Sequence, residues 1–237
     1  MLSLRTWHPH AATAAAATFL VLVPGAATAS PAEPPPALSA KAADAQLSEL
    51  TIAEPRPMRG YSRSRFPHWE GQGHSCDTRE LVLARDGEDV KQDEKCRAIA
   101  GTWHSPYDGK DFDRATQLDI DHMVPLAEAW RSGADTWTDT RRRQFANDLD
   151  GPQLIAVSAE SNRSKGDQAP GEWRPPLRTY WCDYGRAWID VKSRYHLTVT
   201  QPERDALAEM IGTCGQQEDR QADKQDDKQD DKQNDGG

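Results

Sequence analysis

Little in this sequence could hold it in a membrane. Outside the first thirty residues, no apolar run approaches the roughly 18 to 20 residues that a spanning helix needs. There is no Cys-x-x-Cys pair, and no His stands at ligand spacing beside any of the four cysteines, which argues against thiolate-bound zinc. A positive excess is missing as well. The formal charge over 237 residues is −9, so bulk attraction cannot hold a polyanion. The deficit is spread along the chain: Glu54 to Cys214 carry 23 Lys and Arg against 27 Asp and Glu, and the tail from Gly215 carries 4 against 8. Affinity for nucleic acid must then come from a local cluster or a bound cation.

What is present at the N terminus is a leader pattern. Arg5 precedes an Ala-rich apolar run, Ala11 to Val23, which is broken by Pro24 and Gly25 and ends at Ala27-Thr28-Ala29. This predicts a signal peptide over residues 1–29, a mature chain from near Ser30, export, and no membrane association after cleavage. In an oxidising compartment the even cysteine count predicts two disulfides. Three pairings are open to Cys76, Cys96, Cys182 and Cys214; the local one, Cys76 with Cys96 and Cys182 with Cys214, needs the least rearrangement of the chain.

Residues 30–54 begin with Pro34-Pro35-Pro36 and read as an extended Pro/Ala-rich linker. Residues 215–237 repeat Asp-Lys-Gln-Asp from Asp223 to Asp231 with no apolar side chain that could be buried, the composition of a disordered charged tail. Between them, 55–214 suits a single domain. Its periodicity predicts strands at Glu80–Arg85, with a turn at Asp86-Gly87, at Asp119–Val124 and at Leu154–Val157. Helical segments are expected at Leu126–Arg131, from Thr138 to Phe145, at Ala159–Lys165 before Gly166, and at Gln201–Ile211 with Pro202 in the first turn. Most of the aromatics are expected in packing.

The densest chemistry is Asp119-Ile120-Asp121-His122-Met123-Val124-Pro125, two carboxylates and an imidazole on a short apolar strand. Alternation puts Asp119 and Asp121 on one face and His122 on the other. Carboxylates attract hard cations, and a neutral His can take a proton from water. A second block, Ser161-Asn162-Arg163-Ser164-Lys165-Gly166-Asp167, supplies an amide oxygen and two cations after the 154–157 strand. Arg141-Arg142-Arg143 is a concentrated basic run that reads first as a solvated helix face. Glu128 and Asp150 are further carboxylates near these blocks, and His74 and His104 lie outside them.

The order Asp-His-Met-Val-Pro-Leu, a helical excursion, Leu-Ile-Ala-Val and Asn-Arg-Ser-Lys-Gly-Asp resembles the HNH, or ββα-metal, endonuclease superfamily. Within it the chain is similar to exported actinobacterial-type proteins related to the C-terminal domain of GmrSD restriction endonucleases. That similarity includes Cys76-Asp77-Thr78-Arg79-Glu80, Gly101-Thr102-Trp103, Ser105-Pro106-Tyr107-Asp108-Gly109 and Ala127-Glu128-Ala129-Trp130. The resemblance implies an α+β single domain built around a ββα-metal motif, with additional helices and two disulfides. It implies His122 as general base and Asp121 and Asn162 as catalytic metal ligands for one divalent ion, Mg²⁺ first, with Mn²⁺ or Ca²⁺ as alternatives and no zinc. It also requires a departure from regular strand geometry after Asp121, so that His122 reaches the same site.

The middle Asn of the HNH pattern is absent: Gly151 and Gln153 flank Pro152, and Asn147 comes too early. Gln153 is the candidate to brace the loop bearing His122, with reduced activity as the alternative. Arg79, Arg163 and Lys165 are candidates for substrate phosphate contacts. The expected partner is nucleic acid, DNA first, and the expected activity is secreted phosphodiester hydrolysis. A non-catalytic exported nucleic-acid-binding module on the same scaffold is the competing expectation. Strand preference, base preference and oligomeric state are left open by a motif that grips phosphate and sugar.

Overall fold

In the computed structural model, which describes Pro35 and residues 38–215, Asp77 accepts the amide hydrogen of Glu80 at 2.9 Å and starts a helix. The apolar run expected as the strand Glu80–Arg85 is therefore helical, within α2 (Thr78–Asp86). Val82 and Leu83 are buried on one side of it. A short apolar run fits helix and strand periodicity equally well, and here the Asp cap decides. The expected turn at Asp86-Gly87 instead leads from α2 into a strand.

The other elements run in the order α1 (Ala40–Glu49), β1 (Gly71–Gly73), β2 (Cys76–Asp77), then after α2 the strands β3 (Gly87–Gln92), β4 (Ala98–Ser105), β5 (Lys110–Phe112) and β6 (Leu118–His122). There follow α3 (Leu126–Arg131), α4 (Asp139–Ala146), β7 (Leu154–Ser158), α5 (Ala159–Lys165), α6 (Trp181–Tyr195) and α7 (Gln201–Ile211). The fold is α+β, with antiparallel sheets β1-β2, β3-β4-β5 and β6-β7. The stretch expected as an extended linker is helical over α1, because Ala43 and Leu47 recur four residues apart and bury against α6 and α7. The expected signal peptide and nearly all of the charged tail lie outside the described residues. Among the described residues no helix is long and apolar enough to cross a membrane.

Two hydrophobic clusters flank the β6-β7 ribbon. The larger gathers α1, α3, α4, α6 and α7 around Trp188, Phe145 and Tyr184; the smaller packs Val82, Leu83 and Trp103 on Leu118, Ile120, Leu154 and Ala156. Leu118 and Ile120 thus take one face of β6, which sends Asp119 and Asp121 to the other, the face toward α5. The disulfides are Cys76–Cys96 and Cys182–Cys214, the local pairing, closing separations of 20 and 32 residues. Loops of this size restrict the unfolded chain by about 3 kcal/mol each. The first ties β2 to the β3-β4 turn, and the second ties α6 to the end of α7.

Candidate active site

β6 pairs with β7 from Leu118↔Ser158 to His122↔Leu154, and β7 runs directly into α5, capped by Ser158. This strand-strand-helix unit brings Asp121, His122 and Asn162 to the wall of one cavity of about 200 Å³, together with Tyr61 and Arg63. Regular pairing ends at His122; beyond it the Met123 amide donates to the Gln153 carbonyl at 2.7 Å. Gln153, fully buried, clasps the next residue by both backbone groups. Its Oε1 accepts from Val124 N at 3.1 Å and its Nε2 donates to Val124 O at 3.0 Å. Two hydrogen bonds from one amide hold the loop that follows the His.

His122 is 4% exposed. Its Nε2 lies 3.0 Å from the carbonyl of Ala146, in the last turn of α4, where backbone oxygens have no partner within the helix. A carbonyl only accepts, so Nε2 carries the proton and Nδ1 keeps its lone pair. Burial lowers the imidazole pKa to about 3; the Ala146 bond opposes this, and the nearby Arg63, His68 and Lys165 add to it. The ring stacks on Trp69 at 5.6 Å. Trp69 sits at φ 60°, a left-handed conformation costly for a bulky residue, and it forms the sharp bend beside the imidazole.

This shift fixes a pH dependence. In chelator-treated protein the unfolded chain binds a proton between about pH 6.5 and 3 that folded His122 refuses, so stability falls as pH drops through that window. The slope from this residue approaches about 1.4 kcal/mol per pH unit, and it vanishes below pH 3, where both states are protonated. Urea midpoints against pH should show this acid slope reduced in His122→Asn; an unchanged slope would place the titration elsewhere.

Asp121 is 4% exposed and anchored through one oxygen. Oδ2 accepts from Tyr107 Oη at 2.6 Å and from Lys165 Nζ at 2.7 Å, and Lys165 also donates to the His122 carbonyl at 2.9 Å. Burial pushes the Asp121 carboxyl up and the Lys165 ammonium down, each opposed by the other's charge. Oδ1 has no protein hydrogen bond among the described residues. Tyr107 comes from the turn between β4 and β5, which is latched to the start of α5: Ser105 Oγ accepts from Ser158 N at 2.9 Å, and Ser158 Oγ donates to Asp108 at 2.7 Å. Asn162 donates its Nδ2 to Asp119 at 3.2 Å, and its amide oxygen, like Asp121 Oδ1, has no protein donor among the described residues.

The expected phosphate contacts separate. Lys165 is fully buried in the Asp121 pair and cannot reach a substrate phosphate, which corrects that expectation. Arg79 binds Glu80 and the carbonyls of Ala115 and Leu118, joining α2 to β6, and does not line the cavity. Arg163 remains largely exposed on α5, 3.7 Å from Asp119. The basic run divides too: Arg142 is buried against the carbonyls of Ala134 and Trp137, Arg141 lies over the Trp137 ring and donates to the Tyr195 carbonyl, and only Arg143 is a plain surface cation. Glu128 is buried with Lys192 away from the cavity, Asp150 is a surface turn residue, and His74 and His104 are exposed.

Sequence reasoning missed Tyr107, Arg63, Trp69 and the role of Asn147. Asn147 accepts from Glu70 N and Thr78 Oγ1 and donates to the carbonyls of Pro67 and Arg143, tying the segment before β1 to the end of α4. The Ser-Pro-Tyr-Asp-Gly block held the signal for Tyr107, and an acid-free run at 55–69 held it for Arg63.

The GmrSD restriction endonuclease C-terminal domain matches residues 77–210, more than half of the chain, a stretch that includes Tyr107, Asp121, His122 and Asn162 but not Tyr61, Arg63 and Trp69. The chain belongs to that family. It is also 50% identical over 201 residues to a protein named "Uncharacterized secreted protein" from Arthroderma benhamiae, covering 83% of this chain and 98% of that one. No solved structure matches. That kinship and the two disulfides make this GmrSD-type chain a secreted protein. The family description ties it to restriction endonucleases and so to nucleic acid. The expected actinobacterial affiliation finds no support in these matches.

Proposed function

We propose that this protein is a metal-dependent endonuclease of the HNH, ββα-metal type, exported by its N-terminal signal peptide and hydrolysing nucleic-acid phosphodiester bonds, DNA first. One observation carries the reading: Asp121, His122 and Asn162, the last forty residues further on, line one cavity on a strand-strand-helix unit.

The donor chemistry fits a hard cation. One carboxylate and one amide, each with an Oδ1 that has no protein donor among the described residues, border a cavity large enough for water. Water would complete the shell of an ion held there, as suits Mg²⁺. A divalent ion held by Asp121 and Asn162, Mg²⁺ or alternatively Mn²⁺ or Ca²⁺, would supply Lewis-acid stabilisation of charge on the leaving 3′ oxygen.

The chain's own groups do the rest. His122 Nδ1 takes a proton from water, whose oxygen attacks phosphorus as the bond to the 3′ oxygen breaks. The Ala146 carbonyl holds the reactive tautomer and stabilises the imidazolium. Tyr107 and Lys165 fix the Asp121 carboxylate, and Gln153 fixes the loop behind His122.

The test is incubation of purified protein with plasmid DNA, single-stranded DNA and RNA across Mg²⁺, Mn²⁺ and Ca²⁺. Cutting that disappears with EDTA and returns with one ion is the expected result. Binding without cutting under every ion would leave a non-catalytic module instead.

A further inference from the structure

Residues 55–69, Pro-Arg-Pro-Met-Arg-Gly-Tyr-Ser-Arg-Ser-Arg-Phe-Pro-His-Trp, hold four arginines and no acid, in a chain whose net charge is −9. They precede residues 77–210, which the family match covers. The segment is fixed at both ends and in the middle. Arg56 N donates to Arg131 O at 2.7 Å, Phe66 is fully buried against Trp130 and Phe145, Asn147 Nδ2 donates to Pro67 O, and Trp69 stacks on His122.

Between those anchors the arginines face outward. Arg59 and Arg63 are exposed, and their guanidinium groups have no hydrogen-bond or ion-pair partner among the described residues. Arg63 lines the Asp121–His122 cavity beside Tyr61. Arg56 has Asp135 at 3.1 Å and Arg65 has Asp139 at 4.0 Å, both pairs on the surface. Such exposed pairs contribute little to stability and exchange readily for a phosphate. Unpaired guanidiniums in an acidic protein, on a backbone already ordered, cost little to commit to a polyanion, because their geometry is set before it arrives.

We propose that residues 56–65 form a basic strap that receives the nucleic-acid backbone, with Arg63 gripping the phosphate that enters the cavity; this rests on the nuclease reading above. The strap supplies the local cation cluster that the charge balance demands, and it lies outside the HNH-like motif.

The experiment measures binding of a short labelled DNA, single-stranded and duplex, in EDTA as salt is varied, and cutting of the same DNA with Mg²⁺. Wild type is compared with Arg59→Gln, Arg63→Gln, the double variant, and a control carrying Arg97→Gln and Arg114→Gln, exposed arginines that do not line the cavity. Each strap substitution should lower the salt slope by about 0.9 on duplex and about 0.7 on single strands, which near 0.1 M salt is about eightfold in duplex affinity. The control should keep the wild-type slope. A double variant that binds and cuts like a competent wild type overturns the strap and leaves the nuclease standing; equal losses in the control overturn it too. A wild type that neither binds nor cuts under any ion overturns the nuclease reading and the strap with it.

Discussion

His122→Ala should lose at least about 10²-fold, and up to about 10⁴-fold, of its cutting rate, while its circular dichroism stays native. Burial keeps the imidazole, which lines the cavity, unprotonated near neutrality. Its loss removes the nitrogen that takes the proton from water. Truncating a buried ring stacked on Trp69 also costs stability, by on the order of 2 to 4 kcal/mol, so His122→Asn should be measured alongside. Asn keeps much of the volume and a donor for Ala146 but has no basic nitrogen. Rates near wild type in both variants would remove His122 from the reaction.

The second large effect is on folding. Lys165 is wholly buried, and its ammonium meets Asp121, the His122 carbonyl and the face of Trp188. Lys165→Met removes the cation and strands a buried carboxylate whose remaining partner is Tyr107. Breaking a buried pair from one side costs about 3 to 5 kcal/mol. In a domain of this size that lowers Tm by roughly 6 to 20 °C. Adding Asp121→Asn to Lys165→Met should recover much of the loss, since the stranded charge is then gone. If Lys165→Met melts within a degree or two of wild type, the pair does not hold the site together.

The two effects differ in how visible their causes are in the sequence. Ala159–Lys165, Leu126–Arg131 and Gln201–Ile211 fold as helices within the bounds their caps and glycines mark, because those signals act over a few neighbouring residues. Thr138 caps α4 through the Arg141 amide. Asp121, His122 and Asn162 could be singled out because each carries distinctive chemistry beside a strand. The Lys165–Asp121 pair could not: a lysine in a polar run reads as a surface cation until its neighbours in space are known. α6, the longest helix among the described residues, has Gly185 in its interior, close against Met210 and Ile211, so packing rather than local preference sustains it. The strand expected at Glu80–Arg85 shows the converse, a helix decided by a single Asp cap that the apolar run obscured.

The bonds that complete the site span long stretches of chain: 24 residues between His122 and Ala146, 44 between Asp121 and Lys165, and 77 between Glu70 and Asn147. Contacts of such separation close only after large entropic losses, and therefore late. On the nuclease reading, the site therefore stays incomplete while the chain is still emerging, and it forms only when the last distant segments have met.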